Sequence, residues 1–119
     1  MDNIFVTCGD GDFAVSACAT RCGDDISITV TGGTKAHVGA VSLAVYEPER
    51  NSATVSTVTV FSHRDDAVSS YFAKEVSRAK RCTVCASAGL HVDEASSEEI
   101  ALLRRNAGAC CAMLIEKLN

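Results

Sequence analysis

From Phe13 to Val45 the apolar residues of this chain recur at every second position. Phe13, Val15, Ala17 and Ala19 share one side, followed by Ile26, Ile28 and Val30, then by Val41, Leu43 and Val45. A period of two belongs to extended chain with one face buried, so these stretches predict β-strands. Turn chemistry separates them, at Gly9-Asp10-Gly11-Asp12, Gly23-Asp24-Asp25, Gly32-Gly33 and Glu47-Pro48-Glu49-Arg50-Asn51. Residues 4–61 therefore read as a five-stranded, largely antiparallel meander. Val41, Leu43 and Val45 are expected on its core face. The small sets on the opposite parity, Ala40, Ser42 and Ala44 or Ser27, Thr29 and Thr31, would then meet solvent or form an oligomer interface. A change of apolar parity between Val55 and Val58 predicts a bulge near Ser56.

The period then becomes helical. Val68, Tyr71, Phe72, Val76 and Ala79 form an apolar stripe, with Lys74, Glu75, Arg78 and Lys80 outside it. This predicts an amphipathic helix of about four turns. Asp65 and Asp66 in its first turn complement the helix dipole. Arg81 to Ser87 reads as a sixth strand. Ser96-Ser97-Glu98-Glu99 matches a capping box, and Ile100, Leu103, Ala107, Cys110, Cys111, Leu114 and Leu118 follow at helical spacing. Within that helix Ala107-Gly108-Ala109-Cys110-Cys111-Ala112 is small on every side, so the sheet or a neighbouring subunit can approach closely. The order βββββ-α-β-α favours an α+β two-layer sandwich, a largely antiparallel sheet carrying two helices, over a doubly wound parallel sheet. With 47% hydrophobic residues, the 119 positions suffice for one core, and residues 1–119 read as a single domain.

Charge narrows the partners. The net charge is −4, from 15 acidic and 11 basic side chains, and no basic block or aromatic-interleaved basic stripe occurs, which argues against nucleic acid. No apolar run approaches the ~20 residues of a membrane span, and Met1-Asp2-Asn3-Ile4 does not open a secretion signal. The expectation is a soluble, cytoplasmic protein with no membrane partner. Seven cysteines are an odd count for a disulfide framework and read as reduced thiols, most simply as small core residues. Cys82 and Cys85 form a C-x-x-C on a predicted strand, where residues three apart point to opposite faces, and no second pair completes a zinc ribbon.

The remaining candidate chemistry lies in three turns. All three histidines occur there, none inside an apolar run: His37 in Gly32-Gly33-Thr34-Lys35-Ala36-His37-Val38-Gly39, His63 in Ser62-His63-Arg64-Asp65-Asp66, and His91 in Gly89-Leu90-His91-Val92-Asp93. Imidazole titrates nearest neutrality and is a common metal ligand, so three in turns suggest one shared polar site. Gly32 and Gly33 permit close approach of a ligand, and Lys35 is a natural phosphate partner. Ser62 or His63 lies at a helix start, where the dipole favours neutral imidazole and attracts anions, with Arg64 able to add a charged contact. His91 and Asp93, two apart on extended chain, project to one side as a ligand or carboxylate–imidazole pair. Such donors suit iron, manganese or zinc without selecting among them.

The same three segments carry a family resemblance. Thr31 to Val41, Ser62 to Asp66 and Ala88 to Ala95 resemble the small LpdD-like proteins, the prenylated flavin chaperones that accompany non-oxidative hydroxyarylic acid decarboxylases of the UbiD type. The match runs from Gly32 to the final helix in order and spacing. Ala36 and Ser62 stand where the family usually has proline and glycine. The resemblance implies a non-catalytic chaperone or accessory subunit that binds prenylated flavin mononucleotide, together with a divalent metal ion, and supports such a decarboxylase. By motif position, His37, His63 and His91 are its metal or cofactor contacts, with Asp93 beside them. Gly32, Gly33, Lys35 and Arg64 form the cofactor cradle, and a homo-oligomer is expected. Two rival readings stand beside this one. The first is a small metal-dependent hydrolase or lyase in which His91 and Asp93 move a proton. The second is a structural subunit whose histidines never converge.

Overall fold

The structure is a computed structural model and describes residues 3–60 and 63–118, with the side chains of His63 and Arg64 outside the description. Ring stacking by Phe61, capping by Ser62 and the side-chain roles expected of His63 and Arg64 therefore lie outside the described residues. The elements are β1 (Asn3–Cys8), β2 (Val15–Cys22), β3 (Asp25–Gly33), β4 (Ala40–Glu47), β5 (Ser52–Thr59), α1 (His63–Lys80), β6 (Val84–His91) and α2 (Ser97–Lys117), with short 3-10 turns at Gly11–Phe13 and Pro48–Arg50. This is the expected order of five strands, helix, strand and helix. Two layers result, because both helices lie on one face of a single sheet: α1 packs over β4, β5 and β6, and α2 over β1 and β2.

The sheet is not a continuous meander. Its order is β1-β2-β3-β6-β4-β5, so the last strand inserts between the third and fourth. β6 pairs with β3 in parallel and with β4 antiparallel. The remaining pairs are antiparallel. The β5–α1–β6 segment is a crossover that steps over β4, and β4 accordingly lies beneath α1. The predicted bulge at Ser56 does not form: β4 and β5 pair without interruption from Ala40↔Thr59 to Glu47↔Ser52, with Ser56 opposite Leu43. The parity shift reflects polar residues on both faces of an edge strand.

The first strands face as their pattern requires, with Val15, Ala17, Ala19, Ile26, Ile28 and Val30 buried, except that Phe13 falls in the 3-10 turn before β2 and is only partly buried. On β4 the expectation is reversed. Ala40, Ser42 and Ala44 are fully buried beneath α1, while Leu43 is 47% and Val45 49% exposed. A helix can settle onto this strand only where side chains are small, and close packing outweighs the transfer of larger apolar groups elsewhere. The buried hydroxyls are satisfied: Ser42 Oγ lies 2.7 Å from both Ser69 Oγ of α1 and Thr57 Oγ1 of β5. The core stripe of α1 is rotated to match, with Asp65, Ser69, Phe72, Ala73, Val76 and Ser77 buried and Tyr71 and Ala79 exposed. α1 is also longer than expected, 18 residues or about five turns.

α2 matches its sequence closely. Glu99 N donates to Ser96 Oγ at 3.1 Å and Ser96 N to Glu99 Oε1 at 2.9 Å, completing the capping box. Ala107, Cys110, Cys111, Leu114 and Leu118 are buried. All seven cysteines are free thiols, and burial pushes those of Cys110 and Cys111 up to about 12. These two stay protonated through the neutral range. An alkylating agent at pH 7–8 is expected to modify exposed Cys22 readily and Cys110 and Cys111 only on unfolding, as read by peptide mass mapping. The face assignment of β4 has its own check. Ala44→Leu forces a large side chain under α1 and is expected to cost about 1–3 kcal/mol in denaturant unfolding. An unchanged midpoint would return Ala44 to the solvent face.

Candidate functional site

Strand direction decides where the three histidine turns go. β6 runs parallel to β3, β4 opposes β6, and β5 opposes β4, so β3, β5 and β6 all run the same way. The segment carrying His37 follows β3, and His63 opens the helix after β5. β6 starts and ends later than the expected Arg81 to Ser87 and takes in His91 as its last residue rather than leaving it in a turn. All three therefore stand at one end of the sheet. The insertion of β6 does more. Residues 34–39, which connect β3 to β4, must cross the end of β6 between them, which carries His37 to His91.

The crossing is laced to β6 by backbone bonds. Thr34 N donates to His91 O at 2.8 Å and Gly39 N to Ala88 O at 2.9 Å, while Val60 N, at the end of β5, donates to Gly39 O at 2.7 Å. Glycines make the approach possible. A Cβ on Gly89 would strike the His37 carbonyl, one on Gly39 would strike the Asp65 carboxylate, and one on Gly33, which also has a φ of 78°, would strike the His91 backbone. The space beside Gly33 is thus filled by the protein's own chain.

At the centre is Asp65, in the first turn of α1, with 0% exposure. Its Oδ2 lies 2.9 Å from His37 Nε2, and its Oδ1 accepts from Leu90 N at 2.9 Å. One carboxylate thus ties α1, β6 and the β3–β4 crossing together, and the helix N-terminus adds favourable potential. The His37 and His91 rings meet edge to face with centroids 6.4 Å apart. His91 Nε2 lies 2.6 Å from Asp93 Oδ1, as the two-residue spacing foresaw. Two of the three histidines and the expected carboxylate converge, with Asp65 as a further member that sequence reasoning assigned only to the dipole. What sets Asp65 apart from an ordinary first-turn acid is its complete burial, which the sequence does not display.

The fit to a metal ion is incomplete among the described residues. Both ring nitrogens of His37 face acceptors, Nδ1 the Lys35 carbonyl at 3.2 Å and Nε2 the Asp65 carboxylate, so neither turns a lone pair outward. No group of three or more His, Cys, Asp or Glu side chains among the described residues is arranged to hold a cation. His63 opens α1 at the same end of the sheet. Lys35 is exposed in the crossing loop.

An apolar hollow adjoins the cluster. A cavity of about 120 Å³ is bordered by Asp65 and His91 and walled by Val68, Leu90, Ile100 and Leu103, with Arg104 on its rim. Val68 and Arg104 also line a second hollow of about 370 Å³ between the helices, which reaches half-exposed Tyr71 and Gly108. Imidazoles, a buried carboxylate, an apolar recess and one guanidinium suit an aromatic ligand with polar or anionic edges.

Comparison with known proteins agrees with the resemblance. Residues 9–119 match the prenylated flavin chaperone LpdD-like domain, and the chain belongs to that family. A solved structure titled "Crystal Structure of a Novel Chaperone Complex for Yeast 20S Proteasome Assembly" has a similar fold, with a TM-score of 0.63 and 13% identity over 99% of this chain and 98% of that one. No curated protein matches the chain. Among the described residues, no helix is long and apolar enough to cross a membrane.

The anchor role of Asp65 is measurable. Asp65→Ala leaves the Leu90 amide without an acceptor and His37 without its carboxylate. The expected loss is about 2–3 kcal/mol in denaturant unfolding, below the full buried-pair value because the His37 side chain is 34% exposed. Asp65→Asn keeps an acceptor for the amide and should lose less. A change under about 0.5 kcal/mol for the alanine variant would contradict the anchor.

Proposed function

We propose that this protein is a non-catalytic carrier of prenylated flavin mononucleotide. It receives or holds the cofactor at the end of the sheet where the turns after β3, β5 and β6 meet, and supports a UbiD-type hydroxyarylic acid decarboxylase. The observation that carries this reading is the run of contacts from Asp93 through His91 and His37 to buried Asp65 beside an apolar recess, in a chain of the prenylated flavin chaperone family. The cofactor supplies the redox and decarboxylation chemistry, and the protein needs only to bind and shield it.

In this reading the ring system enters the recess walled by Val68, Leu90 and Leu103, with His91 at its polar edge. The phosphate is met by Lys35, Arg64 or Arg104. Gly33 serves the site by letting the chain leave β3 close against the His91 backbone, and Gly32 by making room for Ala14 and the Leu90 side chain, rather than by touching the cofactor. A divalent ion, iron, manganese or zinc, would draw its ligands from His37, His63, His91 and Asp93. The engagement of His37 by Asp65 makes His63, His91 and Asp93 the first candidates.

Purified protein mixed with reduced prenylated flavin under anaerobic conditions and passed through gel filtration is expected to retain the cofactor's absorbance. Retention should transfer activity to apo-decarboxylase. His37→Ala and His91→Ala should each weaken binding about tenfold or more, equivalent to about 1.4 kcal/mol. Metal-dependent turnover of a hydroxyaryl acid by the isolated protein would overturn the carrier reading in favour of a small lyase. Absence of flavin retention would overturn it outright.

A further inference from the structure

Both helices cover one face of the sheet, and the other face carries a pattern that a solvated surface does not. One continuous row crosses all six strands, Phe5, Cys18, Thr29, Ser87, Val41 and Val58. The neighbouring row holds Leu43 among Asn, Thr, Ser and Cys, and Val45 lies one step beyond it. None of these positions carries a charge, in a chain that is 22% charged. Val58 is 72% and Phe5 66% exposed. The first charged side chains on this face are at its rim, Asp25 at the β2–β3 turn and Glu47 at the end of β4, where Arg50 pairs with it. At the opposite end the crossing loop closes the face, where His37 rests over Gly89. An uncharged apolar centre with a charged rim is the anatomy of a protein interface, whereas open sheet faces of monomers are studded with charge.

We propose that two copies of this chain dimerise face to face through the open side of the sheet. Three observations select a second copy over a different partner. The face offers no charge with which a differently charged surface would be complementary. The chain carries a net charge of −4, so this neutral face is where two copies meet without opposing like charges. Its size also suffices. Six strands at about 4.8 Å and a strand length of about 25 Å give roughly 700 Å² of flat area before side-chain relief, within the roughly 600–1,000 Å² per partner that stable interfaces bury. Small residues (Cys18, Thr29, Ser87) at the middle of the row and larger ones (Phe5, Val41, Val58) toward the edges suit two twisted sheets that approach most closely at their centres. The contact is isologous, closed by a two-fold axis, and leaves the histidine cluster at the sheet end accessible in both copies.

Sedimentation velocity on the full chain at tens of micromolar tests this directly. The expected mass is twice the 12.5 kDa of one chain. The double variant Val41→Lys with Val58→Lys, which places two charges side by side on β4 and β5 within the contact, is expected to sediment as a monomer, with the dissociation constant raised about 100-fold or more. Phe5→Glu on the edge strand β1 is a second, independent disruption should the double variant fail to fold. Lys74→Glu, on the exposed side of α1, should leave the dimer intact. A wild-type mass of one chain at all concentrations overturns the proposal, whatever else the protein binds, as does a dimer that survives both disruptive variants. Flavin retention is a separate readout, so failure of the dimer and failure of the carrier reading are told apart.

Discussion

The fold closes on one buried carboxylate. Asp65 reaches from the first turn of α1 to the amide of Leu90 and to the imidazole of His37, and so joins the helix, the central strand and the loop that crosses it. A carboxylate with no solvent exposure is costly unless its oxygens are satisfied, and here each has a donor. The same bonds that make its burial tolerable hold the candidate site in shape. Gly39 and Gly89 follow from this, since a side chain at either position would displace the carboxylate or the His37 loop. Stability and site geometry therefore share one set of atoms.

Much of the layout was legible in the residues. Strand and helix periods, the Ser96–Glu99 capping box and the buried stripe of α2 all correspond to local rules that survive in the structure. The placement of β6 was not legible, because the pairing of distant strands leaves no mark on local periodicity. Nor was the sidedness of β4. Pattern reading assigns the larger apolar residues inward, yet α1 demands small neighbours and selects Ala40, Ser42 and Ala44 instead. The same demand explains why Ser69 and Ser77 share the buried stripe of α1 with Phe72, each satisfied by a hydrogen bond.

The histidine turns show how topology converts scattered motifs into a site. Each was visible as a polar segment near a strand end, although His91 proves to be the last residue of β6, and its pairing with Asp93 followed from spacing alone. Their meeting depended on β3, β5 and β6 running the same way, which only the assembled sheet reveals. Asp65 was hidden for another reason, since an acid in the first helical turn has an ordinary explanation in the helix dipole. Membership of the prenylated flavin chaperone family gives this cluster its proposed cargo. The proteasome-assembly chaperone structure shares the fold alone, at 13% identity.

The most direct test is of place. Ring ¹⁵N and side-chain ¹³C resonances of His37 and His91, followed as reduced prenylated flavin is titrated into the protein, report whether the cofactor contacts the cluster anchored by Asp65. The account predicts saturable shifts of both imidazoles together with the methyl groups of Val68 and Leu90. Saturable binding that leaves both imidazoles unmoved and shifts only residues elsewhere, such as Val41 and Val58 of the open sheet face, would contradict it.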